Sequence, residues 1–236
     1  FDYVDAFVSP SEFLRQRYIA WGIAPERIEV IENGQADMAP LPPRPLREGE
    51  TRNRIGYFGQ ITPYKGLDVL LRALQGMSED ERSRVVLEVH GANLEAQPEA
   101  WRNTIETLRA PLIESGCVQW MGPYQPHELM GRMAGVDWVA VPSVWWENSP
   151  LVIQEAFLCG RPLLVSNIGG MAEKVRDGVD GIHVAAGNSR AWASAMSVAA
   201  TDCDTWNELA SQIIKPSSCA RVARIHFDRA IYGDVR

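Results

Sequence analysis

Residues 142–156 of this 236-residue chain have the sequence PSVWWENSPLVIQEA. They follow an apolar run at 138–141 that predicts a buried strand, and from 150 to 158 they continue as an apolar helix. Glu147 precedes this helix, and Glu155 lies on its second turn. Between the two carboxylates, the helix start offers unpaired N–H groups and the positive end of the helix dipole, which can hold an anion. The stretch predicts a strand–loop–helix unit suited to a ligand with a central phosphate and hydroxyls at both ends, such as a nucleotide sugar.

Short apolar segments alternate with longer amphipathic ones through most of the chain, a pattern typical of parallel α/β units. Strands are predicted at 54–58, 85–90, 118–121, 138–141, 162–166 and 181–184. Helices are predicted at 67–77, 99–115, 127–133, 150–158 and 171–175, with two or three more between 189 and 232. The predicted fold class is α/β, a Rossmann-like doubly wound parallel sheet with helices on both faces.

The candidate ligand-binding residues follow predicted strands. In open sheets of this kind, ligands bind beyond the carboxyl ends of the strands. The residues expected to meet at that edge are Lys65, Gly91, Tyr124, Glu147, Gly169 and Gly170. Their convergence predicts a single site.

The composition excludes several classes of partner. With 23 basic and 30 acidic residues the net charge is −7, which argues against a general nucleic-acid or anionic-membrane surface. No apolar run approaches the ~20 residues that a membrane-spanning helix needs. The four cysteines form no C-x-x-C pair and the histidines are scattered, so we expect no metal site, reduced thiols and a cytoplasmic location.

The segment GQITPYKG at 59–66 joins the first strand of the main domain to its first helix. Its glycine spacing matches neither a Walker A motif nor G-x-G-x-x-G. Lys65 lies close to a helix start, where its charge opposes the helix dipole, so an anionic ligand explains it better than helix stability does. A solvated surface lysine is the alternative. Gly66 is expected to allow close approach of the backbone to the ligand.

Other candidates have two interpretations each. Gly169 and Gly170 form either a tight turn or a ligand contact, and Glu173 is either a first-turn helix carboxylate or a ligand-facing one. Trp145 and Trp146 either stack on a sugar or anchor their loop. Tyr124 and Gly91 are candidates for contact with the nucleobase or the sugar.

Three motifs together resemble a known family. They are G-Q-I-x-P-x-K-G-L-D-x-L-L-x-A from 59, V-P-S-x-x-x-E-x(7)-E-A-x-x-x-G-x-P from 141, and S-N-I-G-G-x-x-E from 166. In this order they are similar to the retaining family 4 glycosyltransferases of GT-B fold, which have two Rossmann-like lobes with the active site between them. The resemblance covers nearly the whole chain and implies that it is mainly the C-terminal, donor-binding lobe.

The resemblance also implies roles for single residues. Lys65 would neutralise the donor diphosphate, Glu155 would accept bonds from ribose hydroxyls, and Glu147 would contact the transferred sugar. The N–H groups of Leu151 and Val152 would meet phosphate oxygens. Lys65 and Glu147 are thus the candidate catalytic residues, and the donor-binding set also includes Gln60, Asn148 and Ser149. Two positions depart from the family: Gln60, where arginine is common, and Pro150, where glycine is frequent and a proline removes one N–H.

The implied domain organisation has four parts. Residues 1–35 would end the N-terminal acceptor lobe, 36–53 would form a Pro-rich linker, 54–215 would be the nucleotide-sugar-binding domain, and 216–236 would form a helical tail. The chain starts in the middle of a strand pattern and without methionine, so we expect it to be a piece of a longer polypeptide.

The predicted function is metal-independent, cofactor-independent transfer of a sugar, with retention, from a nucleotide diphosphate to a glycan, lipid or small-molecule acceptor. The absence of D-x-D agrees with this. The acceptor would be held by the other lobe, so the fragment alone should transfer poorly. The alternatives are a nucleotide-sugar epimerase of similar fold, or a non-catalytic nucleotide-binding or scaffold module. The sequence does not indicate the base, the sugar or the oligomeric state.

Overall fold

The first part of the chain forms a small parallel unit in the computed structural model, which describes residues 3–232. Strand β1 (Phe7–Ser9) pairs in parallel with β2 (Ile28–Val30), with Phe7 opposite Ile28. Helix α1 (Glu12–Ala20) and a 3-10 turn at Pro25–Arg27 connect them. Because parallel strands need a crossover connection, α1 supplies it.

A six-stranded parallel sheet forms the centre of the molecule. Its strands in chain order are β3 (Arg54–Gln60), β4 (Val86–Ala92), β5 (Val118–Trp120), β6 (Trp138–Val141), β7 (Leu163–Ser166) and β8 (Gly181–Val184). Their spatial order is β5-β4-β3-β6-β7-β8, and every neighbouring pair is parallel. The predicted doubly wound parallel sheet is therefore confirmed.

Helices connect the strands on both faces of this sheet. They are α2 (Leu67–Gly76), α3 (Glu79–Ser83), α4 (Glu99–Glu114), α5 (Leu129–Ala134), α6 (Leu151–Leu158), α7 (Gly169–Lys174), α8 (Ser189–Thr201), α9 (Cys203–Ser211) and α10 (Cys219–Tyr232). Short 3-10 turns at Pro63–Lys65 and Pro126–Glu128 precede α2 and α5. None of the helices between residues 3 and 232 has the length and apolar character needed to cross a membrane.

Alternate residues of a strand pack into two different hydrophobic cores, one on each face of the sheet. In β6, Trp138 and Ala140 join the cluster under α2, α4 and α8, while Val139 and Val141 join the cluster with α5, α6 and α7. Successive side chains of a strand point to opposite faces, so both faces of a central strand must be apolar. This explains why the sequence of β6 is an unbroken apolar run.

The segment at 36–53 has no helix or strand, but ion pairs connect it to the sheet domain. The Asp137 carboxylate is fully buried and accepts bonds from Arg44 Nη2 at 3.0 Å and Arg52 Nη1 at 3.1 Å. The Arg54 N–H donates a third bond of 3.1 Å. Two guanidiniums and one N–H compensate the desolvation of the buried carboxylate. The assignment of this segment as an interdomain linker stays a prediction, but its described conformation is held in place.

Helix α1 is joined to the sheet domain by the carboxylate of Glu173. The N–H groups of Glu12 and Phe13 donate to its two oxygens at 2.9 and 2.6 Å. The first N–H groups of a helix have no partner within the helix, so an anion there satisfies them and meets the positive dipole end. On the next residue, the Lys174 ammonium pairs with Glu32 at 2.8 Å. Two neighbouring charges of α7 thus hold the first part of the chain.

Candidate functional site

The strand order creates a crevice at the centre of the sheet. If β3 is counted as the first strand of the sheet, the spatial order is 3-2-1-4-5-6, so the chain proceeds toward one edge from β3 and toward the other from β6. The chain leaves these two neighbouring strands toward opposite edges of the sheet, and ligands of doubly wound sheets bind beyond the strand ends at such a point. Lys65 lies on the loop after β3, and Glu147 lies on the loop after β6.

Lys65 and Glu147 form an ion pair across this crevice. The Lys65 Nζ atom lies 2.6 Å from Glu147 Oε1, and the Ser143 hydroxyl donates a bond of 2.8 Å to the same oxygen. The Val144 N–H donates to the Tyr64 carbonyl at 2.9 Å, which joins the two loops through their backbones. The Lys65 side chain is 38% exposed and that of Glu147 is 21% exposed, so a ligand can reach both. The structure brings together the two candidate catalytic residues, whose roles stay a prediction.

Gly66 permits the close approach of these two loops. It has φ 71° and ψ 21°, in the left-handed region that favours glycine. A Cβ atom at this position would lie 2.0 Å from the Pro142 carbonyl oxygen. The close backbone approach expected at Gly66 is therefore made to the loop after β6. A ligand is not needed to explain the glycine.

Helix α6 begins beside this pair with open N–H groups. Pro150 is its N-cap and provides no side-chain cap, so the helix starts one residue later than predicted. The Ile153 N–H bonds the Pro150 carbonyl at 3.1 Å, whereas those of Leu151 and Val152 find no protein acceptor among residues 3–232. An uncapped helix start with two available donors can receive an anion.

Glu155 presents a carboxylate without a protein partner on the second turn of α6. In the part of the chain that the structure describes, it makes no ion pair and no side-chain hydrogen bond, and burial raises its pKa. Tyr124 lies close enough that the Glu155 charge, after burial, helps to raise the pKa of the phenol. The Tyr124 ring meets Phe58 edge-on at 6.1 Å. A half-buried carboxylate without a partner is suited to accept bonds from ligand hydroxyls.

We expect Glu155→Gln to stabilise the ligand-free chain at neutral pH. Burial raises the folded pKa of Glu155 above its ordinary 4.5, so the folded state favours the protonated carboxyl. The resulting contribution to stability is present below pH 4.5 and is lost as the pH rises through the folded pKa. Thermal unfolding should therefore show a higher midpoint for the variant at pH 7 and no difference below pH 4.5. The exposed Glu95→Gln is the control, and a lower midpoint of Glu155→Gln at pH 7 contradicts the prediction.

Gly169 and Gly170 support the loop that carries Glu147. The Gly170 N–H donates to the Glu147 carbonyl at 2.7 Å, and a Cβ at Gly170 would lie 2.0 Å from the Asn148 carbonyl oxygen. Gly169 has φ 57°, and its Cβ would lie 3.0 Å from the Glu147 carbonyl oxygen. The two glycines thus contact the loop backbone within the protein. Contact of Gly169 or Gly170 with a nucleobase or a sugar stays a prediction.

The remaining candidates lie around this centre. Gly91 is buried at the carboxyl end of β4, where its N–H donates to the Gly122 carbonyl at 3.0 Å. Gln60 is exposed at the end of β3, and its amide finds no hydrogen-bond partner in the described region. Asn148 is exposed, whereas the Ser149 hydroxyl is buried without a partner. In the described region, Gln60 thus makes no hydrogen bond to Lys65 or Glu147.

The contact of Ser143 with Glu147 was not predicted from the sequence. Ser143, whose hydroxyl holds the Glu147 carboxylate, stands in the V-P-S motif, and that motif is the signal that could have found it. The interpretation of Glu173 as a first-turn carboxylate is wrong, because α7 begins at Gly169 and Glu173 lies on its last turn, where it binds α1. A ligand-facing role of Glu173 stays a prediction. His90, which was expected to end a strand, is buried and stacks on Phe58 at 4.4 Å.

Comparison with known sequences identifies relatives over most of the chain. The family model described as "Glycosyl transferases group 1" matches residues 52–202. A D-inositol 3-phosphate glycosyltransferase of Nocardia farcinica is 31% identical over 208 residues, which are 82% of this chain and 44% of the relative. One of Rhodococcus jostii is 32% identical over 189 residues, 75% of this chain and 40% of the relative. The chain thus spans less than half of the length of both curated relatives.

Solved structures share the fold. The Anabaena protein HepE in complex with UDP and glucose has a TM-score of 0.80 at 21% identity, over 97% of this chain and 63% of that protein. A glycosyltransferase from Rickettsia africae has a TM-score of 0.78 at 19% identity, over 98% of this chain and 64% of that protein. At these identities the likeness concerns the fold, and it confirms the expected GT-B type.

Proposed function

Since the chain belongs to the glycosyl transferases group 1 family, we propose that it forms the donor-binding lobe of a glycosyltransferase. It binds a nucleotide-diphosphate sugar, mainly through residues 54–215. The other lobe of the two-lobed fold supplies most contacts to the acceptor, a glycan, a lipid or a small molecule. The four cysteines are unpaired, which fits a cytoplasmic location.

One observation supports this proposal most strongly: a cation, a carboxylate and an uncapped helix start meet at the point where the strand order reverses. Lys65 and the N–H groups of Leu151 and Val152 suit a diphosphate. Glu155 suits the ribose hydroxyls, and Glu147 suits the hydroxyls of the sugar. Negative charge at the centre and hydroxyls on both sides match a nucleotide sugar.

The proposed mechanism relies on electrostatics. As the bond between C1 and the diphosphate oxygen breaks, negative charge grows on the diphosphate, next to Lys65 and the start of α6. Stabilising this charge accelerates departure without a metal or a cofactor. Glu147, already beside Lys65, faces the sugar as it gains positive charge. The acceptor oxygen bonds C1 on the face that the diphosphate leaves, its proton passes to the departing diphosphate, and the configuration is retained.

We expect Glu147→Gln and Glu155→Gln to affect two ligands differently. Glu155→Gln should weaken UDP and UDP-glucose alike, by about two- to tenfold, because the amide keeps one acceptor and loses the charge. Glu147→Gln should leave UDP nearly unchanged and weaken UDP-glucose, because only the latter has the sugar. Titration calorimetry of both ligands on both variants measures this.

Two outcomes would change the proposal. Equal loss of UDP affinity in the two variants would show that the assigned polarity of the site is wrong. Absence of binding to a panel of nucleotide sugars and free nucleotides would favour a scaffold module. The variant Glu95→Gln removes a charge at an exposed position and is the control for a nonspecific effect of charge on ligand affinity.

A further inference from the structure

Ser143 is the second residue after β6, and it is fully buried at the carboxyl edge of the sheet. Its hydroxyl donates a hydrogen bond of 2.8 Å to Oε1 of Glu147, further along the same loop. A serine hydroxyl has a single hydrogen to donate. Ser143 therefore directs its one donor to the carboxylate that the proposed function places against the sugar.

Both protein donors to Glu147 meet on the same oxygen. The Lys65 Nζ atom lies 2.6 Å from Oε1, the atom that Ser143 also binds. Between residues 3 and 232, no protein group donates a hydrogen bond to Oε2. Two donors from different directions restrict where Oε1 can lie, and they leave the acceptor capacity of Oε2 for the hydroxyls of a ligand.

A bound donor would affect Lys65 and Ser143 differently. The Lys65 side chain is 38% exposed at the proposed diphosphate position, so a diphosphate competes with Glu147 for its ammonium. Ser143 is uncharged and has no exposed surface, so the diphosphate cannot take its hydroxyl away from Glu147. The hydroxyl thus stays bound to the carboxylate when the attraction of the lysine is divided between two anions.

The backbone around Glu147 is held by further hydrogen bonds. The Gly170 N–H donates to the Glu147 carbonyl at 2.7 Å, and the Val144 N–H donates to the Tyr64 carbonyl at 2.9 Å. The freedom that is left to the carboxylate is mainly rotation within its own side chain, and the bond from Ser143 restricts it. Restricting a side chain before the ligand arrives reduces the entropic cost of binding.

We propose that Ser143 is a positioning residue, whose hydroxyl keeps Glu147 directed at the transferred sugar once the diphosphate has engaged Lys65. This inference rests on the proposed function, because the sugar is the group that Glu147 would contact. Ser143 touches neither the sugar nor the diphosphate and acts through Glu147. Without the hydroxyl, the carboxylate follows the lysine ammonium toward the diphosphate. Ser143 thus influences affinity for the sugar and not for the nucleotide.

Titration calorimetry of UDP and UDP-glucose on the 236-residue chain tests this role. Ser143→Ala should weaken UDP-glucose by about three- to tenfold and change UDP affinity less than about twofold. Ser143→Cys keeps the shape of the side chain with a weaker donor, so its affinity for UDP-glucose should lie between those of wild type and the alanine variant.

Ser166→Ala is the matched control. Ser166 is also fully buried and ends the neighbouring strand β7, but its hydroxyl has no hydrogen-bond partner in the described part of the chain. The control should therefore change neither affinity. Thermal midpoints show whether each variant folds, and the cysteine variant supplies the comparison if Ser143→Ala does not.

A double-mutant cycle shows whether Ser143 acts through Glu147. In the Glu147→Ala background, Ser143→Ala should cause little further loss of UDP-glucose affinity. Full additivity of the two losses overturns the inference, and so does an equal loss of UDP and UDP-glucose, which indicates a general structural effect. If wild type binds neither ligand, the proposed function fails and this inference with it. If wild type binds both ligands and Ser143→Ala binds them equally well, only this inference fails.

Discussion

Replacing Arg161 with methionine is expected to lower the free energy of unfolding by about 3–5 kcal/mol. The Arg161 side chain is fully buried in the chain interior. Its guanidinium donates to five backbone carbonyls, those of Leu41, Pro42, Ala134, Val136 and Cys159. Methionine has similar length but no donor, so these carbonyls would lose their partner away from water, and each such loss is costly.

Urea denaturation measures the effect, with Arg132→Met as the matched control. Arg132 is partly exposed and pairs with Glu128, so its loss should cost less than about 1 kcal/mol. Arg161 also joins the segment at 36–53 to the sheet domain through Leu41 and Pro42. A loss below about 1 kcal/mol for Arg161→Met would show that water or a rearranged backbone satisfies the carbonyls.

Lys65→Ala is expected to weaken UDP binding by about 10- to 150-fold, or about 1.5–3 kcal/mol, without unfolding the chain. The ammonium is the charged donor at the proposed diphosphate position, and it is accessible to solvent. In the ligand-free chain it neutralises Glu147, which keeps its bond from Ser143 when the lysine is removed. Stability should therefore change little, while affinity for the anion changes strongly.

Lys215→Ala is a close control for this prediction. The Lys215 side chain is 42% exposed and pairs with Asp37 at 2.7 Å, much as Lys65 pairs with Glu147, but it lies outside the crevice. Titration calorimetry at low and high salt should show a large loss for Lys65→Ala that shrinks with salt, because screening weakens charge pairs. If both alanine variants bind UDP like the wild type, Lys65 is a solvated surface lysine.

The sequence predicted the elements of the sheet domain well, because their signals are local. Short, mainly apolar runs marked the six strands, and the bounds of β6 and β8 agree with the prediction. The five-residue helix α3 was missed, since it buries no residue and so has no apolar face to reveal it. Helix α7 begins at Gly169, two residues before the predicted start at 171, because the glycine pair that was expected to form a turn is its first two residues.

Less of the candidate site could be predicted. The positions of Lys65 and Glu147 beyond neighbouring strands followed from the α/β pattern. Their ion pair did not, because it depends on the approach of two loops that Gly66 permits. The rings of Trp146 and of Phe13 on α1 have centroids 6.5 Å apart, although the two residues are more than a hundred positions apart in sequence. Such contacts are set by packing between distant segments, and no local pattern encodes them.

Helix α7 connects the first part of the chain with the loop that carries Glu147. Near its start, the Gly170 N–H is bonded to the carbonyl of Glu147. Near its end, the Glu173 carboxylate accepts hydrogen bonds from two N–H groups in the first turn of α1. The six residues of α7 thus connect the first part of the chain to the loop with the candidate catalytic carboxylate. We therefore expect a displacement of α1 against the sheet domain to shift the backbone of Glu147 as well.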